Sequence, residues 1–93
     1  MKKKFYIIHS EYVQHGLTFN SENRYAENQE KADEVFNEVL ASMKLDNKDM
    51  LEDKEYYKVT KSNRKGKKYF SCYYKYQPGM SNFTVEMSTA TME

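Results

Sequence analysis

Apolar residues in the middle of the chain recur every three or four positions, which is the period of an α-helix. This stripe consists of Ala32, Val35, Phe36, Val39, Leu40 and Met43. Charged and amide residues fill the opposite side, so the pattern predicts one amphipathic helix with a single buried face. Asn28 suits the N-cap position, because its side-chain oxygen can accept a hydrogen bond from a free amide of the first turn. Asp46 and Asn47 are predicted to end the helix.

The segment before the helix follows the two-residue period of a β-strand. Residues 3–12 place Phe5 and Ile7 on one face and Tyr6 and Ile8 on the other. Both faces are largely apolar, which indicates a central strand with one face beneath the helix. Gly16 marks a turn, after which residues 17–19 begin a second strand. Residues 20–23 are polar and typical of turns, so we expect this strand to be short or irregular.

Alternation returns after the helix and predicts three further strands, at residues 55–62, 67–76 and 81–89. The acidic connection at residues 48–53 has room for one helical turn. Residues 63–66 predict a four-residue hairpin loop in which Gly66 takes a positive φ, and Pro78 with Gly79 predicts a type II turn. We expect residues 90–93 to fray. Short turns make the last three strands an antiparallel meander.

The elements therefore occur in the order β-β-α-β-β-β and predict an α+β fold. One apolar helix stripe can cover one face of an antiparallel sheet, so we expect a two-layer sandwich. A chain of 93 residues has the size of one hydrophobic core. We therefore expect residues 1–93 to form a single domain.

The net charge of +1 conceals a segregation of charge along the chain. Residues 22–55 contain eleven acidic and five basic residues, a net charge of −6. Residues 56–86 contain seven basic residues and one acidic residue, a net charge of +6. Two interpretations remain open: two solvated faces of opposite sign, or two poles that orient partners.

Tyrosines are candidates for protein recognition, because the ring supplies rigid apolar area and the hydroxyl supplies one hydrogen bond. A two-layer sandwich leaves the sheet face away from the helix uncovered. We expect Tyr56, Tyr69 and Tyr73 to lie on that face and to form a protein-binding patch. The alternative is that these tyrosines are ordinary, half-exposed strand residues.

The stretch from residue 58 to residue 76 also fits nucleic-acid binding. Its basic residues are Lys58, Lys61, Arg64, Lys65, Lys67, Lys68 and Lys75. They alternate with tyrosine and phenylalanine, and a hairpin can present cations to phosphates and rings to bases. The competing interpretation is that aromatic residues favour strands and lysines keep sheet edges soluble.

Candidates for chemistry are few, since Cys72, His9 and His15 are the only cysteine and histidines. No two of them have a metal-binding spacing, and a Cys–His nucleophile would depend on the fold bringing them together. We therefore expect neither an enzyme nor a metal or cofactor site, and keep a Cys–His enzyme as the third alternative.

The first hypothesis is accordingly a non-enzymatic protein-binding module whose partner is unidentified. A regulator or inhibitor encoded by a bacterial phage or mobile element fits the small size, the charge segregation and the high Lys and Asn content. One cysteine and an apolar run of four residues at Phe5–Ile8 favour a cytoplasmic protein without an export signal or membrane segment. An unpaired sheet edge also offers a route to a homodimer.

Overall fold

The structure is a computed structural model that describes residues 3–64, 66–77 and 79–92. Two strands come first, β1 (Lys3–Gln14) and β2 (Leu17–Ala26). Two helices follow, α1 (Gln29–Asp46) and the short α2 (Lys48–Glu52). The last elements are the strands β3 (Tyr57–Arg64), β4 (Lys67–Tyr74) and β5 (Ser81–Met92).

The five strands form one sheet in the order β2-β1-β5-β4-β3, and every neighbouring pair is antiparallel. The predicted α+β two-layer sandwich and the meander β3-β4-β5 are therefore confirmed. The two longest strands, β1 and β5, pair from Lys3↔Met92 to Gln14↔Ser81 at the centre of the sheet. This pairing corrects the expected fraying after Thr89, because β1 supplies hydrogen-bonding partners for residues 90–92. Glu93 lies outside the described residues.

The second strand is longer than its polar sequence suggests. β2 runs for ten residues, through the segment that we expected to be turn-like. It pairs with β1 from Tyr6↔Ala26 to Gln14↔Leu17, with a β-bulge where Tyr12 pairs with Asn20 and Val13 with Thr18. The prediction of a short strand is therefore wrong, and the predicted irregularity is confined to the bulge.

The hairpin between β3 and β4 is tighter than expected. The pairing reaches Arg64↔Lys67, so Asn63 and Arg64 belong to the strand and not to the loop. Gly66 has a φ of +75°, as the predicted turn requires. Lys65 lies outside the described residues, as does Pro78 of the predicted type II turn.

Helix α1 begins and ends as its sequence predicts. The Asn28 side chain accepts a hydrogen bond of 2.8 Å from the Lys31 amide, and Asn47 lies at the C-cap. The apolar stripe faces the sheet, and Ala32, Phe36, Val39 and Met43 are buried there. On the sheet side the buried core consists of Tyr6, Ile8, Ala26, Phe70, Cys72, Phe83, Val85 and Met87.

Strand alternation gives the sheet two faces with different environments. The helix face carries the core residues of the strands and contacts α1 and α2. The other face, which we call the open face, has no helix over it in the described part of the chain. Neither described helix is long and apolar enough to cross a bilayer.

Candidate functional site

Two cross-strand rows of mainly polar side chains form the middle of the open face. The first row consists of Ser62, Tyr69, Glu86, His9 and Asn23. The second row consists of Thr60, Ser71, Thr84, Glu11 and Ser21. A shallow depression of about 590 Å³ lies over the central part of both rows, and Tyr73 and Asn82 line one end of it.

Two of the three predicted tyrosines lie on the open face. Tyr69 and Tyr73 are half-buried residues of β4 and stand on either side of Ser71. The cross-strand partner of Tyr69 in β5 is Glu86, and that of Tyr73 is Asn82. Each ring is therefore held against neighbouring strands and keeps part of its surface toward the depression.

The third tyrosine, Tyr56, does not share this face, and its expected placement is corrected here. It lies in the turn before β3 and is 44% exposed. Its ring centroid is 6.4 Å from that of Tyr74 and 6.0 Å from that of Tyr76. Tyr74 belongs to the helix face, because it continues the alternation of Phe70 and Cys72. The turn geometry before β3, which alternation cannot predict, therefore directs Tyr56 into a separate aromatic cluster.

The depression contains acidic groups that sequence reasoning did not single out. Glu11 of β1 and Glu86 of β5 both line it, together with His9. His9 Nδ1 is 2.7 Å from Asn23 Oδ1, which can only accept, so Nδ1 carries the hydrogen. His9 Nε2 is 3.8 Å from Glu11 Oε2. The depression therefore holds two carboxylates on neighbouring strands, an arrangement that suits a cationic donor.

Hydroxyl groups complete the floor of the depression. Ser71 is buried, and its Oγ lies 3.0 Å from Thr84 Oγ1 across the β4–β5 pair. Asn82 Nδ2 donates a 3.2 Å hydrogen bond to the same threonine oxygen. The only signal for these residues in the sequence was their alternate position in β4 and β5. Their assembly with Glu11 depended on the β1–β5 register, which the sequence did not reveal.

Alternation distributes the basic hairpin residues over both faces of the sheet. Lys58, Arg64 and Lys67 share the open-face side with Tyr73 and Tyr69, whereas Lys61 and Lys68 are on the helix side. The described basic residues of the hairpin therefore do not share one face of the sheet. The physical reason is that lysines at odd and even positions of one strand point in opposite directions.

The two remaining basic candidates lie outside the strands. Lys75 follows β4, and its Nζ donates a 3.2 Å hydrogen bond to the Lys54 carbonyl while lying over the Tyr76 ring. Lys65 falls on the undescribed part of the loop.

Lys68 contacts two side chains of helix α1. Its Nζ is 2.9 Å from Asp33 Oδ1 of α1 and 5.8 Å from the centroid of the Phe36 ring. The hydrogen bond from Lys68 holds the pKa of the Asp33 carboxyl below its ordinary value of 3.8. Partial desolvation opposes that decrease, and a hydrogen bond from Gln29 and the charge of Lys68 assist it. This lysine acts as a link between the two layers.

Cys72 and the histidines do not form a nucleophilic pair. Cys72 is fully buried on the helix face, and burial raises the pKa of its thiol, which favours the unreactive protonated form. His9 lies on the opposite face of the sheet, and His15 lies in the β1–β2 turn with a φ of +54°. Within residues 3–64, 66–77 and 79–92, no group of three or more His, Cys, Asp or Glu side chains is arranged to hold a metal ion.

Comparison with known proteins identifies no relative of this chain. No protein-family model matches the chain, and searches of curated proteins and of solved structures find no match either.

Proposed function

We propose that this protein is a non-enzymatic protein-binding module whose open face receives a Lys- or Arg-bearing segment of another protein. The observation that carries the proposal is the depression in which Glu11 and Glu86 lie beside Tyr69 and Tyr73. In this role the protein acts by occupying a surface of its partner, as a regulator or an inhibitor does.

The tyrosines support a protein partner because their rings are already partly ordered. Tyr69 and Tyr73 are fixed in a central strand, so binding costs little additional side-chain entropy. A tyrosine face attracts a Lys or Arg side chain by about 0.5–2 kcal/mol, the larger value applying when water is excluded.

The charges in the depression select the sign of the partner. Two carboxylates, Glu11 and Glu86, face a ligand that approaches the open face. A guanidinium or ammonium group would satisfy these acceptors, whereas an acidic segment would be repelled.

The same charges disfavour the alternative, nucleic-acid binding by the hairpin. Glu86 is the cross-strand neighbour of Tyr69, so a base stacked on that ring would bring its phosphates toward a carboxylate. Of the seven basic candidates, the strand pairing places Lys58, Arg64 and Lys67 on the open-face side. None of these three lines the depression that contains Glu11.

The test is a heteronuclear NMR titration of the ¹⁵N-labelled chain with a capped Gly-Arg-Gly-Arg-Gly peptide. We expect amide shift changes at His9, Glu11, Ser71, Thr84 and Glu86. Tyr69→Ala and Glu86→Gln should each weaken binding by about three- to tenfold, the loss of one cation–π contact or one charge-assisted contact.

Matched controls remove the same groups elsewhere. Tyr76→Ala deletes an exposed tyrosine of the other aromatic cluster, and Glu38→Gln deletes a carboxylate from the solvent side of α1. Both should bind the peptide like the unmodified chain. Shift changes confined to the acidic residues of α1, or none at all, would refute the proposal. A parallel titration with an oligothymidylate that shifts Lys58, Lys67 and Tyr69 would favour the nucleic-acid alternative instead.

A further inference from the structure

The two edge strands of the sheet, β2 and β3, differ in how well two copies of each could pair. Strand β3 contains three basic residues, Lys58, Lys61 and Arg64, and no acidic residue. No register of a β3–β3 pair therefore brings opposite charges together, and its lysines protect this edge.

Strand β2 has no such protection. It contains neither lysine nor proline, and its charged residues are one acid, Glu22, and one base, Arg24. Both side chains are about half exposed, and within the single chain Arg24 Nε lies 3.0 Å from Glu22 Oε1. Tyr25 on the same strand is 64% exposed. An edge of this length and composition is a template for another strand.

The geometry of β2 selects one register for self-pairing. Beyond the bulge, the regular part of the strand is Asn20–Ala26, and its middle residue is Asn23. A two-fold axis at Asn23 pairs this whole stretch with itself, so that Asn20 lies opposite Ala26 of the second copy. The same register places Glu22 opposite Arg24 of the second copy, twice. A shift that places the axis one residue away, at Glu22 or at Arg24, brings like charges face to face instead.

We propose that two copies of this chain associate through antiparallel pairing of their β2 strands, centred on Asn23. The axis is perpendicular to the sheet, so the product is a continuous ten-stranded sheet with both α1 helices on one side. Both open faces then point in the same direction. This association uses a different surface from the proposed protein-binding site and does not depend on it.

Sedimentation equilibrium of the full chain, from micromolar to submillimolar concentration, tests the dimer. Glu22→Arg and Arg24→Glu each convert two attractive cross-strand pairs into two repulsive ones. Each should raise the dimer dissociation constant by about tenfold or more. An equimolar mixture of the two variants should dimerise again, because arginine pairs then face glutamate pairs. The double variant Glu22→Arg/Arg24→Glu should also dimerise.

Glu38→Arg is the matched control, because it changes the net charge by the same amount as Glu22→Arg at an exposed position of α1. It should leave dimerisation unchanged. Circular dichroism of every variant establishes that it is folded, and restoration of the dimer in the mixture is independent of that check. A wild-type chain that remains monomeric throughout, a dimer that ignores both charge reversals, or a mixture that stays monomeric would each overturn the proposal.

Discussion

Lys68 distinguishes a structural role from a binding role for the basic hairpin, and Lys68→Ala is the informative change. In the structure its ammonium links β4 to Asp33 of α1 and lies near the Phe36 ring. The neighbouring Lys67 points to the other side of the sheet and is exposed. Lys67→Ala therefore provides a control that removes the same charge from the same strand.

The expected cost follows from the exposure of the two partners. The Lys68 side chain is 18% exposed and that of Asp33 is 36% exposed, so solvent screens the ion pair partially. Such a pair contributes about 0.5–1 kcal/mol, and the ring contact adds about 0.5 kcal/mol. Lys68→Ala should lower the free energy of unfolding by about 1–1.5 kcal/mol, which corresponds to a decrease in Tm of about 4–12 °C in a domain of this size. Lys67→Ala should change it by less than about 0.5 kcal/mol.

Urea denaturation monitored by tyrosine fluorescence measures both variants, and pH supplies a second test. The pKa of Asp33 is lower in the folded chain than its ordinary value of 3.8. The stabilisation by this carboxylate is therefore complete above that value and is lost as the pH falls through the lowered folded value. The difference between wild type and Lys68→Ala should shrink over this acidic range. Equal stability of Lys68→Ala and Lys67→Ala at neutral pH would refute the structural role of Lys68.

Three further sets of measurements test the helix cap, the turns and the buried thiol. Asn28→Ala should destabilise the chain by about 1 kcal/mol in urea, whereas Asn28→Asp retains an acceptor for the first-turn amide and should cost much less. Gly66→Ala and Gly16→Ala should each cost about 1–2 kcal/mol in thermal unfolding, because both glycines have a positive φ and an added Cβ would meet no atom closer than 3.4 Å. A much larger cost at Gly66 would contradict the ordinary contact that its Cβ would make with Thr89. Cys72 should resist a maleimide in native buffer and react fully in urea; rapid labelling of the native chain would show that the thiol is accessible.

The local elements could be predicted because their signals lie in neighbouring residues. The apolar residues from Ala32 to Met43 recur every three or four positions, and such residues share one face only in an α-helix. Asn28 supplies the N-cap of this helix. Alternation in β4 likewise separated Phe70 and Cys72 from Tyr69 and Tyr73, with no knowledge of the strand order. These patterns were sufficient for the two-layer class and for two of the three candidate tyrosines.

The tertiary structure decided what depends on contacts between distant segments. Only the β1–β5 pairing brings Glu11 beside Thr84 and His9 beside Glu86, and this creates the acidic depression. The polar residues of β2 form a strand because β1 supplies its hydrogen bonds, which outweighs a weak local preference. Lys68 forms an ion pair with α1 because the packing of this helix on the sheet brings Asp33 within 2.9 Å of the Lys68 ammonium. In each case the partner residue lies far away in the sequence. Local hydrophobic periodicity and amino-acid composition carry no information about such distant contacts.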